Sequence, residues 1–338
     1  MNISEELEST IHEMVQKGKG ILAADESLPT MAKRFAPIDV ESTEENRRGY
    51  RTLLFTTPGI SDFISGVILF EETLTQTNDD GTTLPTLLAQ QGIVPGIKVD
   101  KGKGPLAGAP GDLITYGLDG LAERLREYKQ QGARFAKWRE VYPITDVNPT
   151  QLGLKANAEM LARYASVCQA EGIVPIVEPE VLMDGDHSMA RCAEVNENVL
   201  HEVFHALHRH AVQLEYMVLK PSMVTPGKTV SQKASPEQVA RETVRVLRRT
   251  VPAAMPSINF LSGGQGPEEA TANLNAMNAL FPNEPWELSF SYGRALQQPA
   301  LHAWLGKSEN AEAMQNALHK RAKLNGMARK GTYQSSME

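Results

Sequence analysis

Eight short apolar runs, each closing on a charged or hydroxyl residue, are spread along this chain, and that repeat limits the folds open to it. They are GILAAD ending at Asp25, GVILFE at Glu71, GIKVD around Lys98, FAKWR around Lys137, IVPIVEPE around Glu178, YMVLK at Lys220, SINFLSGG at Ser262 and LSFSYG at Ser291. Successive markers lie about 27 to 46 residues apart, room for one strand and one covering helix in a parallel α/β architecture. The runs are continuous rather than alternating, as befits strands covered on both faces. Helix signals fill the gaps. Leu118, Leu121, Leu125 and Tyr128 form an apolar stripe that predicts a helix over 118–131, stopped at Gly132. Ser235-Pro236-Glu237 opens another, with a capping hydroxyl, a proline in the first turn and an acid behind it.

A doubly wound open sheet would carry a glycine-rich phosphate loop at its first strand-to-helix turn. Here that turn reads Asp25-Glu26-Ser27-Leu28-Pro29. Eight units with polar strand ends therefore predict a closed (β/α)8 TIM barrel. A length of 338 residues fits one such barrel, over about 15–305, with a C-terminal helix and mobile tail over about 306–338. There are 34 basic and 41 acidic side chains, a formal net charge of -7, which argues against a nucleic-acid partner. Only two cysteines occur, Cys168 and Cys192, without metal-ligand spacing. The polar start and the lack of a long apolar stretch predict a cytoplasmic protein with no membrane partner.

Active sites of parallel barrels lie at the C-terminal strand ends. Residues two apart on a strand share a face, so Lys98 with Asp100, Lys137 with Arg139, and Glu178 with Glu180 point together, joined by Asp25 and Lys220. Buried charges are costly unless paired, and so many converging on one mouth signify chemistry. Lys220 ends an apolar strand and precedes Pro221. Desolvation and a nearby cation such as Lys137 would leave its amine neutral and able to attack a carbonyl, giving an imine. Glu178, set between IVPIV and Pro179, suits a proton shuttle, and Asp25 supplies a second carboxylate for acid–base work. Ser262-Gly263-Gly264 and Gly293-Arg294 follow the seventh and eighth strands, the usual phosphate position in such barrels. Ser27, Thr30, Lys33, Arg34 and Lys98 offer a second anion pocket.

Two motifs compete. His201-Glu202-Val203-Phe204-His205 matches the HExxH pattern of zinc peptidases, but its helical segment belongs outside the barrel and no third acidic ligand follows. Pro226-Gly227-Lys228-Thr229 ends like a nucleotide loop, but Ser222 stands where that loop needs its first glycine. Lys101-Gly102-Lys103-Gly104 reads as a flexible lid edge.

The ordered set GILAADES, TEENRR, GIKVDKG, FAKWR, ARYASVCQ, GIVPIVEPE, DGDH, LKPSMVTPG, FLSGGQ and FSYGRALQ closely resembles the class I fructose-bisphosphate aldolases, from about Leu7 to about Arg329. The resemblance implies a barrel enzyme that reversibly cleaves fructose 1,6-bisphosphate to dihydroxyacetone phosphate and glyceraldehyde 3-phosphate, with no metal and no cofactor. It implies Lys220 as the Schiff-base lysine, Glu178 as the dehydration shuttle, Asp25 as the base for the C4 hydroxyl and Lys137 as the cation holding it. Glu180 and Arg139 correspond to supporting partners. Ser262, Gly263, Gly293 and Arg294 match the C1-phosphate site; Ser27, Thr30 and Lys98, with Lys33 and Arg34 nearby, match the far phosphate. A homo-oligomer, commonly a tetramer, is implied as well. Leu28-Pro29-Thr30 departs from the small residues and serine common among relatives, and Tyr333 is given no catalytic role.

Overall fold

In a computed structural model, which describes residues 2–338, the eight runs form a closed parallel barrel in the order β1-β10-β9-β8-β7-β6-β3-β2. The barrel strands are β1 (Gly20–Ala24), β2 (Ile64–Leu69), β3 (Val94–Lys98), β6 (Phe135–Tyr142), β7 (Val174–Val181), β8 (Val218–Leu219), β9 (Ser257–Phe260) and β10 (Glu287–Tyr292). Between β3 and β6 the chain inserts an antiparallel hairpin, β4 (Lys103–Pro105) with β5 (Leu113–Thr115). The eight runs and the barrel they predict agree strand for strand, although β8 is regular over only two residues before Lys220-Pro221 ends its ladder.

Around the barrel lie α1 (Ile3–Met14), α2 (Leu28–Phe35), α3 (Glu44–Phe55), α4 (Leu84–Gln90), α5 (Leu121–Gln130), α6 (Gln151–Ala170), α7 (Met189–Arg209), α8 (Pro236–Thr250), α9 (Pro267–Leu280), α10 (Arg294–Trp304) and α11 (Ala311–Ala328). The capping residues behave as their chemistry dictates. The Ser235 hydroxyl accepts from the Gln238 N–H while Gln238 reaches back to the Ser235 N–H, closing a capping box at the head of α8. Gly132 ends the α5 segment at φ +102°, where a side chain would be strained.

Two apolar clusters divide the labour. The larger fills the layer between strands and helices. The smaller lies inside the barrel, where Ile21, Ile68, Val94, Phe135, Ile176 and Val218 pack together and Leu7, Ile11 and Met14 of α1 close the floor. Phe135 occupies space left by Gly96, since a β-carbon there would stand 2.2 Å from its ring. With the bottom plugged by hydrocarbon, the inward-facing charged side chains gather at the opposite end. The C-terminal segment packs against the body: Tyr333 is buried, and its hydroxyl lies 3.0 Å from the Glu338 carboxylate that also pairs with Arg321. No helix among the described residues is long and apolar enough to cross a membrane.

Candidate active site

Strand register sets the site. Lys98 pairs with Lys137 across β3 and β6, and Arg139 with Glu178 across β6 and β7, so their side chains rise side by side at the mouth. One continuous ion chain results. Lys137 Nζ stands 2.9 Å from Asp25 Oδ2 and 3.0 Å from Glu178 Oε2, and Lys220 Nζ stands 3.3 Å from Glu178 Oε1. Lys137, Glu178 and Lys220 are all buried. Flanking pairs join Lys98 to Asp100 at 2.9 Å and Arg139 to Glu180.

The electrostatics separate the two lysines. Burial disfavours charge on Lys220; Glu178 opposes this, Lys137 reinforces it, and the amine is held below the usual lysine range. Burial acts on Lys137 in the same sense, but Asp25 and Glu178 outweigh it and keep that ammonium firmly charged. For Asp25, burial would raise the pKa, yet the Lys137 and Lys220 charges hold it at about 2. One lysine is thus biased toward a free amine while its neighbour stays cationic.

These groups line a cavity of about 470 Å³ that also takes in Ser27, Thr30, Ser262, Gly263, Gly293 and Arg294. Gly263 and Gly264 both adopt positive φ, +55° and +96°, forming a tight turn in which no side chain shields the backbone N–H groups. A β-carbon on Gly264 would lie 3.4 Å from both Arg294 Nη2 and Lys228 Nζ, which places two cations beside that turn. Lys228, set aside with its incomplete nucleotide loop, therefore stands near the anion pocket. Across the cavity Ser27 and Thr30 hold their hydroxyls 3.1 Å apart at the head of α2. Lys33 is exposed and outside this cavity; it borders an adjoining one with Arg34, which reaches both. Thr30 and Arg34, one helical turn apart, both reach the mouth, while Lys33 does not.

Several lining residues escaped the sequence reading. Glu26 borders the mouth, accepts a 3.0 Å hydrogen bond from Gln297, and has its carboxyl raised by burial and by Asp25 against the pull of Arg51. Its position beside Asp25 was the available signal, but strand alternation pointed it outward. Lys103, read from sequence only as part of a flexible lid edge, and Thr115 come from the hairpin, whose three-residue strands carry no usable periodicity.

His201 and His205 lie exposed on the outer helix α7, with Lys155 and Arg209 beside them. Among the described residues no group of three His, Cys, Asp or Glu could hold a metal ion. Cys168 and Cys192 are buried, free thiols.

A barrel mouth with a desolvated lysine, adjacent carboxylates and cationic pockets on two sides has the parts needed by an imine-forming enzyme acting on an anionic carbonyl compound. Comparison with known proteins narrows the class. The family model described as fructose-bisphosphate aldolase class-I matches residues 6–338. The chain is 55% identical over 324 residues to fructose-bisphosphate aldolase B of Gallus gallus, covering 96% of this chain and 89% of that protein. It is 54% identical to the cytosolic fructose-bisphosphate aldolase 4 of Arabidopsis thaliana, covering 95% and 82%. The solved aldolase of Plasmodium falciparum, crystallised with TRAP and an inhibitor, superposes with a TM-score of 0.97 at 52% identity, over 98% of this chain and 96% of that one. The chain belongs to the class I fructose-bisphosphate aldolase family.

Proposed function

We propose that the chain cleaves fructose 1,6-bisphosphate reversibly through an imine on Lys220, and that the Lys220–Glu178–Lys137–Asp25 ion chain divides the chemistry. The observation that carries this reading is the placement of the buried Lys220 amine, held below the usual lysine range, 3.3 Å from the Glu178 carboxylate at a strand end. The Lys220 amine attacks the C2 carbonyl to form a carbinolamine. Glu178, already within reach of Lys220, gives a proton to the departing hydroxyl, and water leaves. The resulting protonated imine withdraws electrons from C3. Asp25 accepts the C4 hydroxyl proton, the C3–C4 bond breaks, and glyceraldehyde 3-phosphate departs. The electron pair is held as an enamine, which takes a proton at C3; hydrolysis then frees Lys220 and dihydroxyacetone phosphate. Electron demand from the imine drives cleavage, so Asp25 need not be a strong base.

Lys137 keeps Asp25 and Glu178 in place without itself giving up a proton. Arg139 and Glu180 brace the same wall. Ser262, Gly263, Gly293 and Arg294 suit the C1 phosphate, where backbone N–H groups and a guanidinium converge. Ser27, Thr30, Lys98 and Arg34 suit the C6 phosphate, with Lys33 contributing only a nearby charge. We assign the whole chain to one functional domain, with 306–338 as an extension. Cytosolic names among its relatives support a cytoplasmic location. Family resemblance supports a homo-oligomer, with the tetramer common in the family as its expected form, which light scattering measures. The function is tested by borohydride reduction in the presence of dihydroxyacetone phosphate, followed by peptide mapping for an adduct on Lys220.

A further inference from the structure

The hairpin β4–β5 crosses the mouth beside the outer anion pocket, and it is fixed there from beneath. Thr115 donates its N–H to Glu140 Oε2 at 3.2 Å and its hydroxyl to the Arg139 carbonyl at 2.8 Å. The second oxygen of Glu140 accepts from Trp138 Nε1 at 2.8 Å. Glu140 has no exposed surface, so its carboxyl is held from both sides. Lys103 stands directly opposite Thr115 in the ladder, and its side chain lines the cavity with Lys98, Arg139 and Thr30.

The surrounding cations are committed. Lys98 pairs with Asp100, Lys101 with Glu71 and Arg139 with Glu180. Among the described residues, Lys103 has no carboxylate within ion-pair distance; on this side of the mouth its charge, like that of Arg34, is left for a ligand, and it is the one lysine of the lining so placed. We propose that Lys103 is a specificity-determining cation for the phosphate farther from the imine, and that Glu140 is a positioning residue that holds its hairpin over the mouth. This rests on the aldolase reading of the same cavity. A distal phosphate entering between Arg139, Lys98 and the hairpin meets one ammonium free of any internal partner, whereas a sugar without that phosphate gains nothing from it.

Steady-state kinetics with fructose 1,6-bisphosphate and fructose 1-phosphate test this. Lys103→Gln is expected to raise KM for the bisphosphate by about fivefold to tenfold, the scale of one partly exposed charge-assisted contact. Its kcat stays within about twofold, and its kinetics on the monophosphate match wild type. Lys103→Arg restores most of the loss, and KM depends less on ionic strength in the glutamine variant than in wild type. Glu140→Ala shows the same selectivity because it releases Thr115. Equal losses on both sugars, or wild-type KM for the bisphosphate in Lys103→Gln, would overturn the assignment. Wild-type protein that forms an imine adduct and cleaves both sugars while the variant shows no selectivity indicts Lys103 alone; wild-type protein that does neither indicts the underlying aldolase reading and the assignment with it.

Discussion

Replacing Glu140 by glutamine makes a sharp test of how burial governs ionisation in this barrel. Burial pushes the Glu140 carboxyl from the usual 4.5 up to about 7, against hydrogen bonds from Trp138 and Thr115 that favour the charged form. The folded state therefore binds this proton more tightly than the unfolded chain does. That contribution to stability is complete below pH 4.5 and disappears as the pH rises through 7. Between pH 5.5 and 8 the loss is about 2 kcal/mol, from a shift of roughly 2.5 units at 1.36 kcal/mol each, partly spent below pH 5.5. Glutamine cannot titrate. Its single acceptor oxygen also cannot serve both Trp138 and Thr115, so the variant forfeits about 1 kcal/mol at every pH. The difference between the two proteins should therefore change with pH while that offset stays constant. For a chain of this size, 2 kcal/mol corresponds to about 3 °C in Tm. Calorimetry at matched protein concentration from pH 5.5 to 8 should show wild type losing about 3 °C more than Glu140→Gln. Parallel curves would refute the reasoning, because Glu140 would then not change charge in that window.

Two further outcomes follow from the ion chain and from the outer helix. Lys137→Met leaves buried Glu178 and partly buried Asp25 without their cation. It should cost about 3–5 kcal/mol of stability, read by denaturation, and lower kcat/KM by about 10² to 10⁴. Because Lys137 depresses the Asp25 pKa, its removal should also shift the acid limb of the kcat/KM profile upward, so residual activity rises with pH where wild type is already flat. His201→Ala with His205→Ala should leave kcat/KM within about twofold of wild type, with and without a chelator, because both residues are exposed outside the barrel; loss of activity in the double variant would reopen the peptidase-like motif.

What could be read from sequence depended on whether a residue obeyed a periodic rule. Asp25, Lys98, Lys137, Glu178 and Lys220 stand at the ends of apolar runs, and strand alternation then told which of their neighbours faced inward. The barrel followed from the same repeat. Lys33 failed because a polar helix start shows little about which side faces the mouth, and the chain turns it past the cavity that Thr30 and Arg34 reach. Lys103 was legible only as part of a glycine-rich edge: two three-residue strands bury too little to impose a pattern, and tertiary hydrogen bonds to β6 fix them instead. Glu140 lies on the outward face of β6, which packs into the layer between strands and helices, where apolar side chains are the rule. Its burial depends on the Trp138 indole and the returning hairpin, both brought there by the fold.

Reduction of the protein with borohydride in the presence of dihydroxyacetone phosphate, with mass mapping of the peptides, bears most directly on the chemistry. A reduced three-carbon adduct confined to Lys220, formed in step with irreversible loss of cleavage activity and absent from Lys220→Met, is the expected result. Retention of full activity after that treatment, or an adduct carried by a different lysine, would contradict it.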